Sequence, residues 1–395
     1  MRILVHDYPG HPFQVQLSRS LAGRGHDVVH VYSGSVQSPR GALLRRESDP
    51  ASFSITELRL PKPVRQHSFV RRRMQEIAYG RLLAETVEAV GPEVVLCSNT
   101  PLEAQAILMK QCRRRGVRFV FWVQDLRGIA AQRILRERIP VLGRPVGWYF
   151  VRLERSLLGK SDRIVAITED FCPLLSRWGV PRDAVHVIHN WAPLEEIPPQ
   201  PKDNPWSERH GLSGKLCILY SGTLGMKHNP ELLLRLAARF EDDEAVRVVV
   251  VSEGAGADWL QEQKQKLGLG GLLLLPYQPF EVLAQVLGSA DVLVAILEPE
   301  AGTFSVPSKV LTYLCAGRPL LLSVPPENLA ARIVMESEAG LVVAPMDGDA
   351  LVRAAESLVS EPRLRDRLGR NGRAYAEANF DIEAITDKFE EVLRM

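Results

Sequence analysis

LCILYSGTLGMKHNP, residues 216–230, joins an apolar run to a loop that contains two glycines and ends in proline. The apolar run predicts a buried strand over residues 216–220. Asn229 and Pro230 suit the N-cap and the first position of a helix. Gly222 and Gly225 allow backbone N–H groups to approach an anion near the start of that helix. The stretch is therefore typical of a strand–loop–helix unit that binds phosphate.

The same alternation of apolar runs and helical patterns extends in both directions, which favours an α/β fold with parallel sheets. A proline-rich stretch over residues 193–205 separates two such series and is interpreted as a linker. The predicted domains are 1–195, 206–377 and a C-terminal helix over 378–395. The predicted strands are 2–6, 28–32, 93–97, 118–123, 163–167 and 185–188 in the first series, and 216–220, 246–251, 272–275, 292–296, 320–324 and 341–343 in the second.

Composition bounds the class of protein and its partners. The chain has 395 residues, 46% of them hydrophobic and 24% charged, as in soluble globular proteins. Its five cysteines show no CxxC pattern and are expected to be reduced thiols. The N-terminal strand is too short and polar for a signal peptide, and no apolar run reaches the roughly 20 residues that span a bilayer. A cytoplasmic location is expected.

The net charge of +2 conceals an asymmetry between the two halves. Residues 1–190 contain 29 Lys and Arg against 17 Asp and Glu, whereas residues 191–395 contain 20 against 30. Such a split indicates that one half faces an anionic partner, either a nucleic acid or a membrane surface.

Two further loops of the second half could hold a phosphate. Ser308 and Lys309 follow Pro307 at the start of a predicted helix, where the helix dipole stabilises an anion. Glu253 and Gly254 follow another strand and support only a close backbone approach. The residues match neither GxxxxGK[ST] nor GxGxxG. With Lys227 of the first loop, Lys309 would compensate one diphosphate, although each lysine could also be a solvated surface residue.

Three residues of the first half follow strand ends. Gly10 could approach a ligand, and His11 could be a polar contact or merely exposed. Asp125 should point into a cleft, or it caps a helix. The sequence contains no HExxH, no metal-spaced cluster and no GxSxG, so it predicts neither metal nor acyl chemistry.

Arginines of the first half are interleaved with apolar and aromatic residues. One group is Arg71, Arg72 and Arg73, on a predicted amphipathic helix, and a second group includes Arg133 and Arg136. This combination suits an anionic lipid surface, although a solvated basic face is the alternative. No nucleic-acid-binding pattern is present.

Several motifs together resemble the retaining glycosyltransferases of family 4, which have the GT-B fold of two facing Rossmann-like domains. They are Phe13–Ser18, Arg24–Val28, Trp122–Leu126, Asp162–Thr168, His189–Trp191, Tyr220–Lys227 and, most specifically, Pro307–Pro319 (PSKVLTYLCAGRP). The resemblance covers nearly the whole chain, and is greatest to enzymes of bacterial O-antigen, capsule and colanic-acid-type polysaccharide assembly.

This resemblance implies a nucleotide-sugar donor, usually a UDP sugar, bound by the C-terminal domain. It implies that Lys227 and Lys309 neutralise the diphosphate, that Tyr277 and Gln278 lie at the base, that no metal is required, and that the last helix returns to the first domain. The chain departs from the family pattern at Thr312 and Phe304, where two glutamates are common, and at Thr223, where an arginine is common.

The predicted function is transfer of a sugar to a lipid-linked acceptor at the inner face of the cell membrane, without a cofactor. The alternatives are a nucleotide-sugar 2-epimerase and a non-catalytic, membrane-recruited subunit of a polysaccharide assembly complex. The predicted catalytic residues are Asp125, Lys227 and Lys309. The predicted donor site is Gly10, Gly222, Thr223, Lys227, Glu253, Gly254, Tyr277, Gln278, Ser308, Lys309 and Thr312. The predicted acceptor and membrane residues are His11, Arg71, Arg72, Arg73, Arg133 and Arg136.

Overall fold

The computed structural model describes residues 1–35, 43–61, 69–138, 141, 143–297, 299 and 307–395. The chain divides into two compact units. Unit 1 comprises Met1–His189 together with Ile382–Met395, and unit 2 comprises Asn190–Asp381. The proline-rich stretch therefore lies in unit 2, where the Asn204 side chain accepts hydrogen bonds from the backbone N–H groups of Trp206 and Ser207.

Among the described residues, unit 1 contains a seven-stranded parallel sheet in the order β3-β2-β1-β4-β5-β6-β7. Its central strands, such as VVLCS and RFVFWV, are nearly continuous apolar runs, as expected where helices cover both faces of a parallel sheet. The strands are β1 (Arg2–Asp7), β2 (Asp27–Ser33), β3 (Phe53–Leu58), β4 (Val94–Ser98), β5 (Arg118–Val123), β6 (Arg163–Ala166) and β7 (Val185–Val187).

The helices of unit 1 connect these strands, apart from a last helix that comes from the far end of the chain. They are α1 (Pro12–Gly23), α2 (Phe69–Val90), α3 (Leu102–Arg115), α4 (Arg127–Arg138), α5 (Gly143–Leu158), α6 (Cys172–Arg177) and α15 (Ile382–Arg394).

Unit 2 contains, in its described part, a six-stranded parallel sheet in the order β10-β9-β8-β11-β12-β13. The strands are β8 (Leu216–Ser221), β9 (Val246–Val251), β10 (Leu272–Leu275), β11 (Val292–Ile296), β12 (Leu320–Ser323) and β13 (Gly340–Val343). The helices are α7 (Pro205–Arg209), α8 (Glu231–Arg239), α9 (Ala255–Leu267), α10 (Leu283–Gly288), α11 (Ser308–Cys315), α12 (Leu329–Glu336), α13 (Gly348–Ser360) and α14 (Pro362–Asn379).

Helix α15 is held on unit 1 by an apolar contact and by ion pairs. The ring of Phe389, which is fully buried, lies 4.7 Å from that of Trp122 in β5. Arg24, which follows α1, pairs with Glu383 at 2.8 Å and with Glu390 at 3.0 Å. The last helix is thus part of the core of unit 1.

The predicted α/β class with two Rossmann-like parallel sheets is confirmed, and the predicted strands agree with those observed to within about two residues. Two local interpretations were wrong. Strand β3 was missed. Asn229 has the left-handed conformation (φ 45°) after a short 3-10 helix and does not cap α8, whose N-cap residue is Pro230. The predicted C-terminal helix over 378–395 corresponds to α15, which begins at Ile382.

Candidate functional site

The loops singled out in unit 2 lie at one edge of its sheet. The strand order reverses direction between β8 and β11, and in open α/β sheets ligands bind outside the carboxyl ends of the strands at such a point. The loops after β8, β9 and β10 leave that edge, and 11 residues separate the end of β11 from the start of α11.

Lys309 of α11 lies against the loop that follows β8. Its Nζ is 3.7 Å from the centroid of the Tyr220 ring, a cation–π contact. Gly222 has φ 127°, and a Cβ at that position would be 3.1 Å from both Cε and Nζ of Lys309. A glycine suits this position for two reasons: other residues rarely adopt this backbone conformation, and a side chain here would crowd Lys309.

Tyr313, one turn further along α11, fixes this arrangement. Its hydroxyl donates to the backbone oxygen of Ser221 and accepts from the Ser221 backbone N–H, both at 2.9 Å. The end of β8 and the start of α11 are thus joined directly. Sequence reasoning missed Tyr220 and Tyr313 because aromatic residues in apolar runs are usually only core residues.

The loops after β9 and β10 close onto the same region. The Tyr277 hydroxyl is hydrogen-bonded to Thr223 Oγ1 at 2.9 Å, and the Tyr277 backbone N–H donates to Glu253 Oε1 at 3.3 Å. Gly254 has φ 111° and starts α9. The Gln278 side-chain oxygen accepts a hydrogen bond from Trp206 Nε1 at 3.0 Å, which fixes that side chain in unit 2.

The remaining predicted donor residues of unit 2 are placed as follows. Ser308 is exposed at the first turn of α11, and Thr312 is partly buried one turn later. Lys227 lies in the short 3-10 helix Met226–His228, but its side chain is outside the described residues. Of the predicted donor residues, Gly222 and Lys309 contact each other, and Tyr277 contacts Thr223 and Glu253 in the neighbouring loops. The direction of the Lys227 side chain stays a prediction.

Lys309 is electrostatically unusual. Among the described residues, no carboxylate pairs with its ammonium group, and burial against the loop lowers the pKa of Lys309 to about 7. An anion bound beside it would restore the charged form. The site thus presents a cation whose only described partner is an aromatic ring.

Unit 1 has its own polar cluster at the carboxyl end of its sheet. Asp7 ends β1 and is fully buried; it accepts hydrogen bonds from the His11 backbone N–H and from His11 Nδ1 at 3.2 Å. Asn99, just after β4, places Nδ2 3.4 Å from Asp7 Oδ1 and has φ 54°. Gly10 has φ 82° in the turn between Asp7 and His11, so its conformation is required there.

Asp125 and Arg127 belong to the same edge. Together with Asn99 and Gln124 they line a small cavity after β4 and β5. Arg127 Nη2 lies 3.5 Å from Asn99 Oδ1. Of the predicted residues, Asp125, Gly10 and His11 are therefore on adjoining loops of unit 1. Asp7, Asn99 and Arg127 were not predicted, although Asn99 lies in a Ser-Asn-Thr-Pro turn directly after an apolar strand.

The predicted basic residues lie on helix α2 and on helix α4, which begins at Arg127. All five are exposed. Arg72 pairs with Glu76 at 2.9 Å, and Arg73 pairs with Glu103 at 3.1 Å and lies over the Tyr149 ring. Part of the basic charge is thus neutralised within the unit.

The part of the chain that the structure describes shows neither a metal site nor a membrane-spanning helix. No group of three or more His, Cys, Asp or Glu side chains there could hold a metal ion. Within the same residues, no helix combines the length and apolar character needed to cross a membrane.

Comparison with known families assigns both halves of the chain. The model described as a glycosyl transferase 4-like domain matches residues 11–191, and the model described as glycosyl transferases group 1 matches residues 203–375. The chain belongs to the glycosyltransferases. The first match includes His11, Asn99 and Asp125 of unit 1, and the second includes the loops around Lys309 of unit 2.

Related proteins agree with this family and with its GT-B fold. WcaI of Escherichia coli K12, named as a colanic acid biosynthesis glycosyl transferase, is 24% identical over 241 residues, which are 60% of this chain and 58% of WcaI. This glycosyltransferase thus matches under three fifths of that relative's length. Sucrose-phosphate synthase of Thermosynechococcus elongatus superposes with a TM-score of 0.75, 17% identity, and coverage of 100% of this chain and 98% of the other. HepE of Anabaena, solved with UDP-glucose, superposes with a TM-score of 0.71 and 13% identity. The superposition covers 100% of this chain and 99% of HepE.

Proposed function

We propose that this glycosyltransferase transfers a sugar from a UDP sugar to a lipid-linked saccharide in cell-surface polysaccharide biosynthesis. Transfer retains the anomeric configuration and needs no metal. The observation that carries the donor half of the proposal is the Lys309 ammonium group, which has no described carboxylate partner and lies against the Gly222 loop. The relation to WcaI supports the polysaccharide class, and the UDP-glucose complex of HepE supports the donor class.

The chemistry follows from where negative charge develops. As the bond between the sugar C1 and the phosphate oxygen breaks, the leaving diphosphate gains charge. Lys309, Lys227 and the N–H groups at the start of α11 would stabilise that charge, because preorganised donors act most strongly where charge appears in the transition state. Tyr277, held by Thr223, would border the uracil–ribose end of the donor. Asp125 of unit 1 would orient the sugar or the acceptor.

The Lys309→Ala variant tests the donor site. A hydrogen bond to a charged group contributes about 1.5–3 kcal/mol, so the Kd for UDP should rise roughly 10- to 150-fold. Isothermal titration calorimetry of the full chain measures this change. The matched control is Lys266→Ala, an exposed lysine of the same unit whose nearest carboxylate is 4.0 Å away, and it should leave the Kd unchanged.

Product analysis separates the proposal from its alternatives. Product that forms only when an acceptor is present, with activity unaffected by EDTA, supports a metal-independent transferase. Conversion of a UDP sugar by itself to its 2-epimer would identify an epimerase instead. If Lys309→Ala binds UDP with the same Kd as the wild type, the donor-site assignment is wrong. If the wild type does not bind UDP, the non-catalytic subunit is favoured.

A further inference from the structure

An exposed carboxylate, that of Glu253, lies among the loops of the candidate donor site in unit 2. Glu253 follows the last residue of β9 by two positions. Its Oε1 accepts a hydrogen bond from the Tyr277 backbone N–H at 3.3 Å. Among the described residues, no hydrogen bond to Glu253 Oε2 is found. An ionised carboxylate only accepts hydrogen bonds, so Oε2 can receive one from a hydroxyl or N–H group of a ligand.

Glu253 belongs to the middle one of three loops that are joined by backbone hydrogen bonds. The Gly256 N–H, at the start of α9, donates to the Leu224 oxygen in the loop after β8 at 3.0 Å. A Cβ at Gly256 would be 2.7 Å from that oxygen, so the contact requires a glycine. On the other side, the Ser252 N–H donates to the Leu275 oxygen at the end of β10 at 2.9 Å. The three loops therefore form one continuous surface at the edge of the sheet.

The order of these loops matches the order of the parts of a nucleoside diphosphate. The diphosphate is placed by the Gly222 loop after β8 and by Lys309. Neighbouring strands lie about 4.8 Å apart, so the loops after β9 and β10 are one and two such spacings away. Along the ligand, the ribose follows the diphosphate and the base follows the ribose. A ligand with its diphosphate at Gly222 and its base at Tyr277 therefore brings its ribose beside Glu253.

The charge of Glu253 favours the same arrangement. A carboxylate repels a diphosphate but accepts hydrogen bonds from the hydroxyl groups of a ribose. In dinucleotide-binding α/β folds, an acidic residue about 20 positions after the glycine loop accepts a hydrogen bond from the ribose 2′-hydroxyl. Glu253 has a comparable place, because it follows Gly222 by 31 positions and ends the strand that comes next in the chain and pairs with β8.

The other acidic residues described near these loops lie in the helices that follow them. Asp258 is in the first turn of α9, and Glu281 is in the short 3-10 helix Phe280–Val282. Within the described parts of the loops after β8, β9 and β10, Glu253 is thus the carboxylate that comes before a helix begins. It is the acidic group of these loops with a place to meet a ribose.

We propose that Glu253 accepts a hydrogen bond from the ribose 2′-hydroxyl of the donor, so that the enzyme selects ribonucleoside diphosphate sugars over deoxyribonucleoside ones. This inference rests on the proposed function and narrows its donor class. The Tyr277 N–H occupies Oε1 and orients the carboxylate, and Oε2 receives the hydroxyl. Glu253 is therefore a specificity-determining residue of unit 2.

Isothermal titration calorimetry of the full chain with UDP and with 2′-deoxy-UDP tests the proposal. The wild type should bind 2′-deoxy-UDP roughly tenfold or more weakly than UDP, because a hydrogen bond to a charged acceptor is lost. In Glu253→Ala the two Kd values should lie within twofold of each other. The matched control is Glu262→Ala, an exposed glutamate of α9 that lies 4.0 Å from Lys266, and it should keep the wild-type ratio.

The ratio of the two Kd values separates ribose recognition from other roles of Glu253. If Glu253 only held Tyr277 in place, or contacted the uracil ring, Glu253→Ala would weaken the binding of UDP and 2′-deoxy-UDP by the same factor. If Glu253 only repelled the diphosphate, the variant would bind both nucleotides more tightly by the same factor. In each case the wild-type ratio would persist in the variant, and the inference would be overturned.

A third ligand tests the proposal on the wild type alone, even if the variant does not fold. 2′-Deoxy-2′-fluoro-UDP has no hydrogen to donate at this position, and a carboxylate needs a donor, so it should bind as weakly as 2′-deoxy-UDP. Binding of the fluoro compound as tight as that of UDP would contradict the proposal. So would equal binding of UDP and 2′-deoxy-UDP, although the donor-site assignment would then stand. Absence of UDP binding would contradict the proposed function itself, so the two failures are distinguishable.

Discussion

At the scale of single residues, the chemistry of unit 2 depends on a buried ammonium group, that of Lys309, which has no described carboxylate partner. Most lysines are solvated or paired with carboxylates, and either condition keeps the amine charged. Lys309 instead lies between the Tyr220 ring and the Gly222 loop. A bound diphosphate would supply the missing negative charge, so binding of the donor and protonation of this amine should be coupled.

That coupling predicts the sign of a pH dependence. In the free protein the pKa of Lys309 is about 7. In the complex the diphosphate favours the charged amine and raises the pKa toward its ordinary value, about 10.4. UDP affinity should thus be full below pH 7 and fall as the pH rises above 7. At pH 8, where the UDP phosphates are ionised, binding should take up about one proton.

Calorimetry in buffers of different ionisation enthalpy measures this uptake directly. Lys309→Met keeps most of the apolar contact and should abolish the uptake, whereas Lys266→Ala should retain it. Equal binding enthalpies in Tris and phosphate at pH 8 would mean that Lys309 is already charged in the free protein.

At the scale of elements, the strands were predictable and several of their connections were not. Buried parallel strands such as β9 (VRVVVV) are continuous apolar runs, a signal that needs no tertiary context. Strand β3 (FSITEL) is an edge strand with a single fully buried residue, so its pattern resembles that of a loop. The turn before α8 depends on the left-handed Asn229, a choice that the local sequence leaves open.

The same distinction applies to the candidate sites. The loops of unit 2 could be predicted from glycines and lysines that follow strands, because the groups that bind a phosphate there are close together in the sequence. The pair Asp7 and His11 is also local, but its contact with Asn99 joins residues 92 positions apart and requires the β1–β4 pairing. Tyr313 likewise reaches Ser221 across 92 positions. Sequence patterns identify candidate polar residues, but the pairing of the strands determines which of them are in contact.

Helix α15 offers a test of how an element far along the chain stabilises unit 1. Phe389→Ala removes a fully buried ring that contacts Trp122 and should lower the free energy of unfolding by about 3–5 kcal/mol. Denaturant unfolding measures the loss. Lys388→Ala, exposed on the same helix, should stay within about 0.5 kcal/mol of the wild type. Equal stability of the two variants would show that α15 does not contribute to that core.

At the scale of the whole molecule, the basic residues of the first half lie exposed on helices of unit 1. Helices α4 and α5 pack on each other, and Glu154 of α5 accepts a hydrogen bond from the Gly128 backbone N–H in the first turn of α4. Trp148 of α5 is 58% exposed beneath Arg152, whose guanidinium is 5.4 Å from its ring, and Met74 of α2 is 66% exposed. Exposed apolar residues among arginines are typical of proteins that bind at an anionic lipid surface.

We therefore expect the exposed face of helices α4 and α5, with Arg133, Arg136 and Trp148, to bind anionic vesicles in a salt-dependent way. Each basic residue near such a surface contributes about 1 kcal/mol, and the attraction is screened beyond about 10 Å at 0.1 M salt. Co-sedimentation should show binding to phosphatidylglycerol vesicles that weakens from 50 to 500 mM salt, and little binding to phosphatidylcholine. Trp148→Ala combined with Arg136→Ala should weaken it at least tenfold, because one change removes an apolar anchor and the other a charge.

Met335→Ala, which removes an exposed apolar side chain of unit 2, is the control for non-specific adsorption. Equal binding by the double variant and the control would place the contact elsewhere, and the acceptor would then have to reach the enzyme without this surface.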